Sequence, residues 1–238
     1  MLTLALTGIS GFWGRQVAQR LLSRPDVRVL GIDRLPPDPV LPGVDFVKAD
    51  IRNPLLAELF VAEGVDTLLH LAWREPAIPG DDDFESNVLG TMQLFGMAVE
   101  ARLRRVVWRS STAIYGAAPQ HPLYLPEDTP PAAQVAAPLS AHWLEVERFL
   151  AGFAAEYSAT AFATLRLAHV ISADAETPLA RLLRLPLWPT LLGFDPLLQV
   201  LDSDDAIEAL ALAALGDWRG PVNVAASGVL TLNQLAGK

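Results

Sequence analysis

The sequence predicts an α/β fold, in which a doubly wound parallel sheet carries helices on both faces. Short, continuous apolar runs alternate with amphipathic stretches of helical spacing from residue 2 to residue 167. Continuous apolar runs are typical of strands that are buried on both faces. Strands that alternate with helices favour right-handed βαβ crossovers, and these produce a parallel sheet.

The predicted elements follow one another along the chain. The expected strands are 2–7, 27–32, 46–48, 67–71, 106–109, 162–167 and 222–224. The expected helices are 13–23, 55–62, 84–101, 140–157 and 204–215, and another begins near residue 230. From residue 172 onward, prolines separate shorter apolar pieces. We therefore expect residues 1–171 to form the main domain, and residues 172–238 a small, shortened C-terminal segment interleaved with it.

Composition restricts the classes of function. The chain has 238 residues, a net charge of -9 and no cysteine. The negative charge argues against nucleic acid or an anionic membrane surface as a partner, and the lack of cysteine excludes disulfides and thiolate metal sites. No apolar run reaches the roughly 18 residues of a membrane span, and the apolar start lacks a basic leader. We expect a cytoplasmic protein.

No metal site is expected. The four histidines lack metal-ligand spacing. The run Asp81, Asp82 and Asp83 has two interpretations, a metal site or the acidic first turn of a helix, and the helix entrance is favoured.

A glycine-rich turn follows the first predicted strand and opens the first predicted helix. Gly8, Gly11 and Gly14 have the spacing in which the first glycine makes the turn, the second lets backbone approach a pyrophosphate, and the third packs helix on sheet. The N-terminus of the helix supplies free N–H donors to the phosphates. This pattern predicts a Rossmann-like dinucleotide-binding domain over residues 1–171.

An acidic residue ends the second predicted strand. Asp33 can accept hydrogen bonds from the ribose hydroxyls of an adenosine, and it would repel a 2′-phosphate. Arg34 beside it could hold that phosphate instead. NAD is therefore the favoured cofactor, and NADP is the alternative.

Further motifs in a fixed order resemble the extended short-chain dehydrogenase/reductases, the NAD-dependent epimerase/dehydratase group. These are Asp50-Ile51, His70-Leu71-Ala72-Trp73, Asn87 in NVLGT, Ser110 to Gly116 as SSTAIYG, and Asp204-Asp205-Ala206. The resemblance implies a set of cofactor-binding residues. They are Gly8, Ser10, Gly11, Phe12, Trp13, Gly14, Asp33, Arg34, Asp50, Ile51, Leu71, Ala72, Trp73 and Asn87.

The resemblance also implies partners. It suggests a substrate such as a sugar nucleotide or another hydroxyl or carbonyl compound, bound with help from the C-terminal lobe, and a substrate hydrogen bond from Ser111. It further suggests a homodimer, whose surface would come from Phe84, Leu94, Phe95 and the 140–157 helix.

The catalytic pair of that family is missing. Its members carry YxxxK, in which the tyrosine exchanges a proton with substrate and the lysine lowers the tyrosine pKa and binds the nicotinamide ribose. Leu139 and Trp143 occupy these two positions, and no YxxxK occurs in any register. Ordinary oxidoreductase or epimerase chemistry is therefore expected to be lost or altered.

Several alternatives stay open at this point. His142 or His169 could replace the missing acid–base group, with Ser111 orienting the substrate, because histidine titrates near neutral pH. Alternatively, the chain is a non-catalytic, NAD-responsive regulatory protein, or a scaffold subunit that binds nothing. Trp143 either fills the volume of the lysine or stacks on the nicotinamide, and filling is favoured.

Overall fold

The computed structural model describes residues 1–76, 80–116, 121–131, 138–172, 174, 177–186 and 195–236. Eleven strands lie within these ranges: β1 (Leu2–Thr7), β2 (Val27–Asp33), β3 (Val44–Lys48), β4 (Thr67–His70), β5 (Arg105–Ser111), β6 (Ala161–Leu167), β7 (His169–Ile171), β8 (Leu197–Leu198), β9 (Val200–Asp202), β10 (Gly220–Val224) and β11 (Leu230–Thr231). Eight α-helices lie there as well: α1 (Phe12–Leu22), α2 (Leu56–Ala62), α3 (Asp81–Phe84), α4 (Gly90–Glu100), α5 (Pro138–Glu156), α6 (Pro178–Leu183), α7 (Ser203–Leu215) and α8 (Leu232–Ala236). Over the same ranges, no helix is both long and apolar enough to cross a bilayer.

The described strands form one large sheet and two small ones. The large sheet has the order β10-β6-β5-β4-β1-β2-β3, and every neighbouring pair in it is parallel. The small sheets pair β11 with β8 and β7 with β9. The chain moves outward from β1 to β3 and then returns to place β4 on the other side of β1, so the strand order reverses between β1 and β4.

Two apolar layers cover the two faces of the large sheet. Alternating side chains of one strand point to opposite faces, so Ala5 and Leu68 pack in one layer while Leu4 and Leu69 pack in the other. The first layer includes residues of α2, α4 and α5, and the second includes residues of α1 and α7. This arrangement confirms the predicted doubly wound α/β fold.

The predicted helix over 84–101 is divided in the structure. It begins earlier, at Asp81, and a π-helical turn over Glu85–Leu89 separates α3 from α4. Asp81–Asp83 form the first turn of α3, as the helix-entrance interpretation predicts. Within the described residues, no group of three possible metal-ligating side chains is present.

The predicted dimer surface is partly wrong. Leu94 and Phe95 are both 0% exposed in the single chain, where they belong to the apolar layer that α2, α4 and α5 form on the sheet. Buried side chains of the core cannot contact a second copy. Helical spacing alone could not tell the core-facing side of α4 from an outward one.

The residues after 172 contribute to the large sheet and its cover. β10 pairs in parallel with β6, and α7 packs against α1. The buried Arg105 at the start of β5 donates hydrogen bonds to the carbonyl oxygens of Ala214 and Leu215, which end α7. A cation at a helix C-terminus satisfies carbonyl groups that have no partner within the helix.

Candidate nucleotide-binding site

The candidate site lies where the strand order reverses. In doubly wound sheets, ligands bind at the carboxyl ends of the strands on either side of such a point. Here these ends belong to β1 and β4, and the glycine-rich turn follows β1 directly.

The glycine-rich turn needs two of its three glycines for contacts within the protein. Gly8 has φ +76°, and a Cβ there would lie 2.7 Å from the backbone nitrogen of Ala72. A Cβ on Gly14 would lie 2.1 Å from the carbonyl oxygen of Gly8. A Cβ on Gly11 would meet no protein atom closer than 3.5 Å, so the space beside Gly11 is open. That space is available to a ligand.

The first turn of α1 faces this open space. Gly11 precedes the helix, and its carbonyl oxygen accepts the first helical hydrogen bond from the N–H of Arg15 at 3.0 Å. The amides between these residues therefore precede the hydrogen-bond ladder and can serve as donors to an anion. The ring of Phe12 packs edge-on against that of Trp13, with centroids 5.2 Å apart.

A cavity of about 190 Å³ opens beside this turn, and we call it the first cavity. Nine of the residues that the sequence predicts to bind a cofactor line it: Gly8, Gly11, Asp33, Arg34, Asp50, Ile51, Leu71, Ala72 and Trp73. Ile32, Ala49, Arg74 and Ser86 complete its lining. The ends of β1, β2 and β4 therefore meet around one space.

The Asp33 carboxylate is held in place by backbone amides. Its Oδ2 accepts from the N–H of Ser10 at 3.0 Å, and its Oδ1 accepts from the N–H of Arg34 at 2.7 Å. The Ser10 hydroxyl donates to the carbonyl oxygen of Leu35. Ser10 thus fixes the glycine-rich turn to the end of β2, which keeps Asp33 at the rim of the first cavity.

A second carboxylate, Asp50, is paired with an arginine. Nε and Nη2 of Arg52 each lie 2.9 Å from an oxygen of Asp50. The hydrogen bonds from the Arg52 side chain lower the pKa of Asp50, so the carboxylate is ionised at neutral pH. Ile51, which separates Asp50 from Arg52 in the sequence, is buried and lines the first cavity.

The histidine at the end of β4 is fully buried. Its Nδ1 lies 2.7 Å from Oγ1 of Thr7 and its Nε2 lies 2.8 Å from Oγ1 of Thr91. Burial, and then the charge of Arg109, lower the pKa of His70 to about 3. His70 is therefore neutral and connects β1 to α4 beneath the cavity.

Asn87 holds the segment that follows β4. Its side chain accepts from the N–H of Arg74 at 2.9 Å and donates to the carbonyl oxygen of Arg74 at 2.8 Å. Asn87 lies in the π-helical turn and is 0% exposed. Both of its polar atoms are therefore used by the backbone, and its contact with a ligand stays a prediction.

A second cavity, of about 330 Å³, lies beyond the ends of β5 and β6. Its lining includes Ser110, Ser111, Trp143, Leu167, Ala168, His169, Thr177 and Leu179. Ser111 and His169, two of the predicted catalytic residues, therefore face the same space. The Ser111 Oγ accepts from the N–H of Ala113, and the surrounding protein lowers the pKa of His169 by partial desolvation.

The third predicted catalytic residue lies elsewhere. His142 does not line either cavity, and its ring packs edge-on against Phe84 with centroids 5.5 Å apart. Burial lowers its pKa, an effect that nearby Asp83 partly opposes. The structure therefore brings Ser111 and His169 together and leaves His142 between α5 and α3.

Trp143 occupies the position of the family's lysine. It is 4% exposed and stacks on Trp73, with ring centroids 5.5 Å apart and planes 8° apart. The ring centroid of Trp73 in turn lies 5.6 Å from that of Trp108 of β5. These contacts favour the volume-filling interpretation of Trp143. The side chain of Leu139, at the tyrosine position, lies outside the described residues.

One feature of the second cavity has no counterpart in the motif analysis. Arg109 of β5 is buried, its Nη2 lies 2.6 Å from Oε1 of Glu75, and its guanidinium lies 5.2 Å from the ring of Trp13. The available signal was a single cation between the apolar run VVW and two serines. A charge in a central strand requires a partner, although the sequence does not identify that partner.

Another buried ion pair holds α5 to the sheet. Glu147 accepts from Nη2 of Arg166 at 2.6 Å and from the hydroxyl of Ser110 at 2.6 Å. Arg166 also donates to Oη of Tyr115. This network fixes the start of the segment after β5, and with it the position of Ser111.

Comparison with known proteins agrees with this geometry. The sequence pattern of the NAD-dependent epimerase/dehydratase family matches residues 4–216. An uncharacterised protein of Mycobacterium tuberculosis is 34% identical over an alignment that covers 96% of this chain and 63% of the relative. A UDP-glucose 4-epimerase of Halalkalibacterium halodurans is 28% identical over 55% of this chain and 41% of its own length. The chain therefore spans less than two thirds of these relatives.

Solved structures share the fold. A UDP-glucose 4-epimerase of Thermus thermophilus in complex with NAD superposes with a TM-score of 0.82 at 23% identity, over 99% of this chain and 81% of that one. A dTDP-glucose 4,6-dehydratase of Bacillus anthracis in complex with NAD gives a TM-score of 0.82 at 18% identity, over 100% of this chain and 79% of that one. With the family pattern matched over residues 4–216, the chain belongs to the NAD-dependent epimerase/dehydratase family.

Proposed function

We propose that this protein binds NAD at the first cavity but does not perform the proton transfer that the family assigns to a tyrosine and a lysine. The observation that carries the proposal is Trp143, which is buried and stacked on Trp73 at the lysine position. An indole offers neither a cation to lower a phenol pKa nor an acid–base group. Positioned proton transfer contributes about 10²–10⁴-fold, or roughly 3–5 kcal/mol of barrier.

The residues of the first cavity fit the adenosine and diphosphate parts of a dinucleotide. The open space beside Gly11 lies at the N-terminus of α1, where amides can bind phosphate oxygens. Asp33 lies at the cavity rim with its carboxylate oriented by the amides of Ser10 and Arg34. A carboxylate there accepts hydrogen bonds from ribose hydroxyls and repels a 2′-phosphate, which supports NAD over NADP.

NAD, where bound, would supply a hydride acceptor, and this chain's residues would hold its adenosine part and exclude water. Residues 1–171 would carry the nucleotide, and residues 172–238 would contribute to a substrate side. Relatives are named for nucleotide-linked sugars, so a sugar nucleotide is the proposed ligand class for that side. In this form the chain is an NAD-responsive binding protein whose occupancy could be sensed by a partner or by a second copy.

Calorimetric titration with NAD and NADP tests the proposal. We expect NAD to bind and NADP to bind at least about tenfold more weakly, because the 2′-phosphate would face Asp33. Asp33→Ala should weaken NAD binding, whereas Asp26→Ala, an exposed carboxylate outside both cavities, should not. With NAD and a panel of uridine and thymidine diphosphate sugars, no change in nicotinamide absorbance or sugar configuration is expected. Failure to bind either dinucleotide, or rapid turnover, would contradict the proposal.

A second candidate is supported by one observation. His169 and Ser111 line the same cavity, so a relocated acid–base group is chemically possible there. Under this candidate, slow turnover would be abolished by His169→Ala and by Ser111→Ala. His142→Ala serves as a control because His142 does not line the second cavity. Activity that persists in the His169 variant would exclude the candidate.

A further inference from the structure

A dinucleotide at a doubly wound sheet extends from one half of the sheet to the other. In this chain its first nucleoside would lie at the ends of β1 and β2, and its second at the ends of β4 and β5. The path between the two halves therefore passes over the turn before α1 and the segment after β4. The first and second cavities lie on the two sides of this path, and no described residue lines both.

A buried ion pair links two of the elements beside this path. Glu75 belongs to the segment after β4 and Arg109 to β5, and the Oε1 and Nη2 atoms of the pair lie 2.6 Å apart. Their side chains are 13% and 6% exposed, so little solvent separates or screens them. Trp13, from the first turn of α1, lies over the guanidinium at 5.2 Å.

The ion pair therefore joins the three elements that border the path. The segment after β4 is held from behind as well. Asn87 binds both backbone groups of Arg74, next to Glu75. Breaking the pair costs more than an exposed pair would, because either partner alone would be a buried charge without compensation.

The wall of the second cavity beyond the ion pair also differs from the family's pattern. Trp143 lines the second cavity where the family's lysine would contact the nicotinamide ribose. Its ring is already stacked on Trp73, and its single uncharged donor, the Nε1–H, is buried, so it does not replace the charged donors of a lysine at the ribose hydroxyls. A nicotinamide riboside would therefore meet a closed passage and lose a polar contact.

We propose that the Glu75–Arg109 ion pair, covered by Trp13, closes the nicotinamide side of the site, so that the chain recognises an adenosine diphosphate ribose portion and gains no affinity from nicotinamide. This inference rests on the proposed nucleotide binding at the first cavity. It names the ligand class of that site as adenine nucleotides that carry a diphosphate, with or without a second base.

Parallel calorimetric titrations with NAD and ADP-ribose test the inference. We expect the affinity for ADP-ribose to equal that for NAD within about threefold, or to exceed it. A preference for NAD beyond threefold would overturn the inference and leave the proposed function intact. Binding of neither compound would defeat the proposed function itself.

A double variant tests the role of the ion pair. Glu75→Ala with Arg109→Ala removes both charges together, so no buried charge is left unpaired. The preference for NAD over ADP-ribose should then rise by about tenfold, since the passage is open. The control is Glu145→Ala with Arg148→Ala, an exposed pair on α5, which should leave the ratio unchanged. If the ratio stays the same in the ion-pair variant, the inference is wrong. If that variant does not fold, the ratio of the NAD and ADP-ribose affinities of the wild type still tests the inference.

Discussion

Glu147 of α5 and Arg166 of β6 form an ion pair in which Oε2 and Nη2 lie 2.6 Å apart, with side chains 9% and 7% exposed. The same carboxylate accepts from Ser110, and the same guanidinium donates to Tyr115. One side-chain network therefore joins α5, two strands of the large sheet and the turn that follows Ser111. The network reaches the second cavity through Ser110, which lines it.

We expect Glu147→Ala to lower the free energy of unfolding by about 3–5 kcal/mol, because Arg166 would remain buried without a counter-charge. Urea denaturation followed by circular dichroism measures the change. Glu145→Ala on the same helix is the control, since the Glu145–Arg148 pair is half exposed and is worth at most about 1 kcal/mol. Equal losses in the two variants would contradict this assignment.

The tryptophan stack makes a separate prediction. Trp143→Ala should cost about 3–5 kcal/mol of unfolding free energy, because it leaves a cavity against Trp73. Trp218→Ala, at a position 54% exposed, should cost under about 1 kcal/mol. Thermal and urea unfolding measure the loss of stability in both variants. A small loss at Trp143 would mean that its ring is not part of the core.

Trp143→Lys restores the family's residue but should not restore its chemistry. A lysine there would be buried, the Glu75 carboxylate that lines the same cavity is already paired with Arg109, and Leu139 offers no phenol to activate. We expect the variant to be less stable than the wild type and to show no nicotinamide reduction above background. Turnover by this single variant would contradict our view that the tyrosine is also required.

Stability should fall in acid because of His70. Its pKa in the folded protein is about 3, below its ordinary value of 6.5. Between these values the unfolded chain binds a proton that the folded chain does not, so stability decreases as pH falls, by up to about 1.4 kcal/mol per pH unit. His70→Asn should reduce the loss between pH 7 and pH 5 by about 2 kcal/mol. Urea denaturation at the two pH values checks this, and an unchanged pH dependence would exclude His70 as its source.

Two glycines in helices should respond oppositely to alanine. Gly14→Ala places a Cβ 2.1 Å from the carbonyl oxygen of Gly8, which should destabilise the turn and weaken nucleotide binding. Gly152→Ala in α5 meets nothing within 4 Å, so it should stabilise the protein by about 0.5–1 kcal/mol. Melting temperatures and NAD titrations of the two variants provide the comparison. A stable, binding-competent Gly14 variant would contradict the close contact.

Much of the fold could be predicted because its strands are continuous apolar runs. The apolar run Leu2–Thr7 predicts β1 with its observed bounds. The predicted strand 162–167 begins one residue inside β6, which is buried along its whole length although it contains Thr164 and Arg166. The π-helical turn at Glu85–Leu89 could not be predicted, because its sequence has ordinary helical character and only tertiary contacts select the extra residue per turn.

The site was predictable in its backbone part and less so in its side-chain pairs. The glycine spacing and Asp33 identified the first cavity, because backbone geometry restricts which residues fit. The Glu75–Arg109 and Trp73–Trp143 contacts join residues 34 and 70 positions apart, and no local pattern encodes such pairings. His142 shows the same limit. Successive residues of a helix point in different directions, so Trp143 lines the second cavity whereas His142, one residue earlier, contacts Phe84.

Where the turn after β1 meets the turn after β4, main-chain atoms touch main-chain atoms, because no side chain fits between Gly8 and Ala72. The relative position of the two turns is consequently fixed by main-chain contact, and a side chain added at Gly8 would force them apart. Under the proposed function, ligand preference would therefore be altered at the rim, at Asp33 and Arg34, while the main-chain surface beneath stays constant.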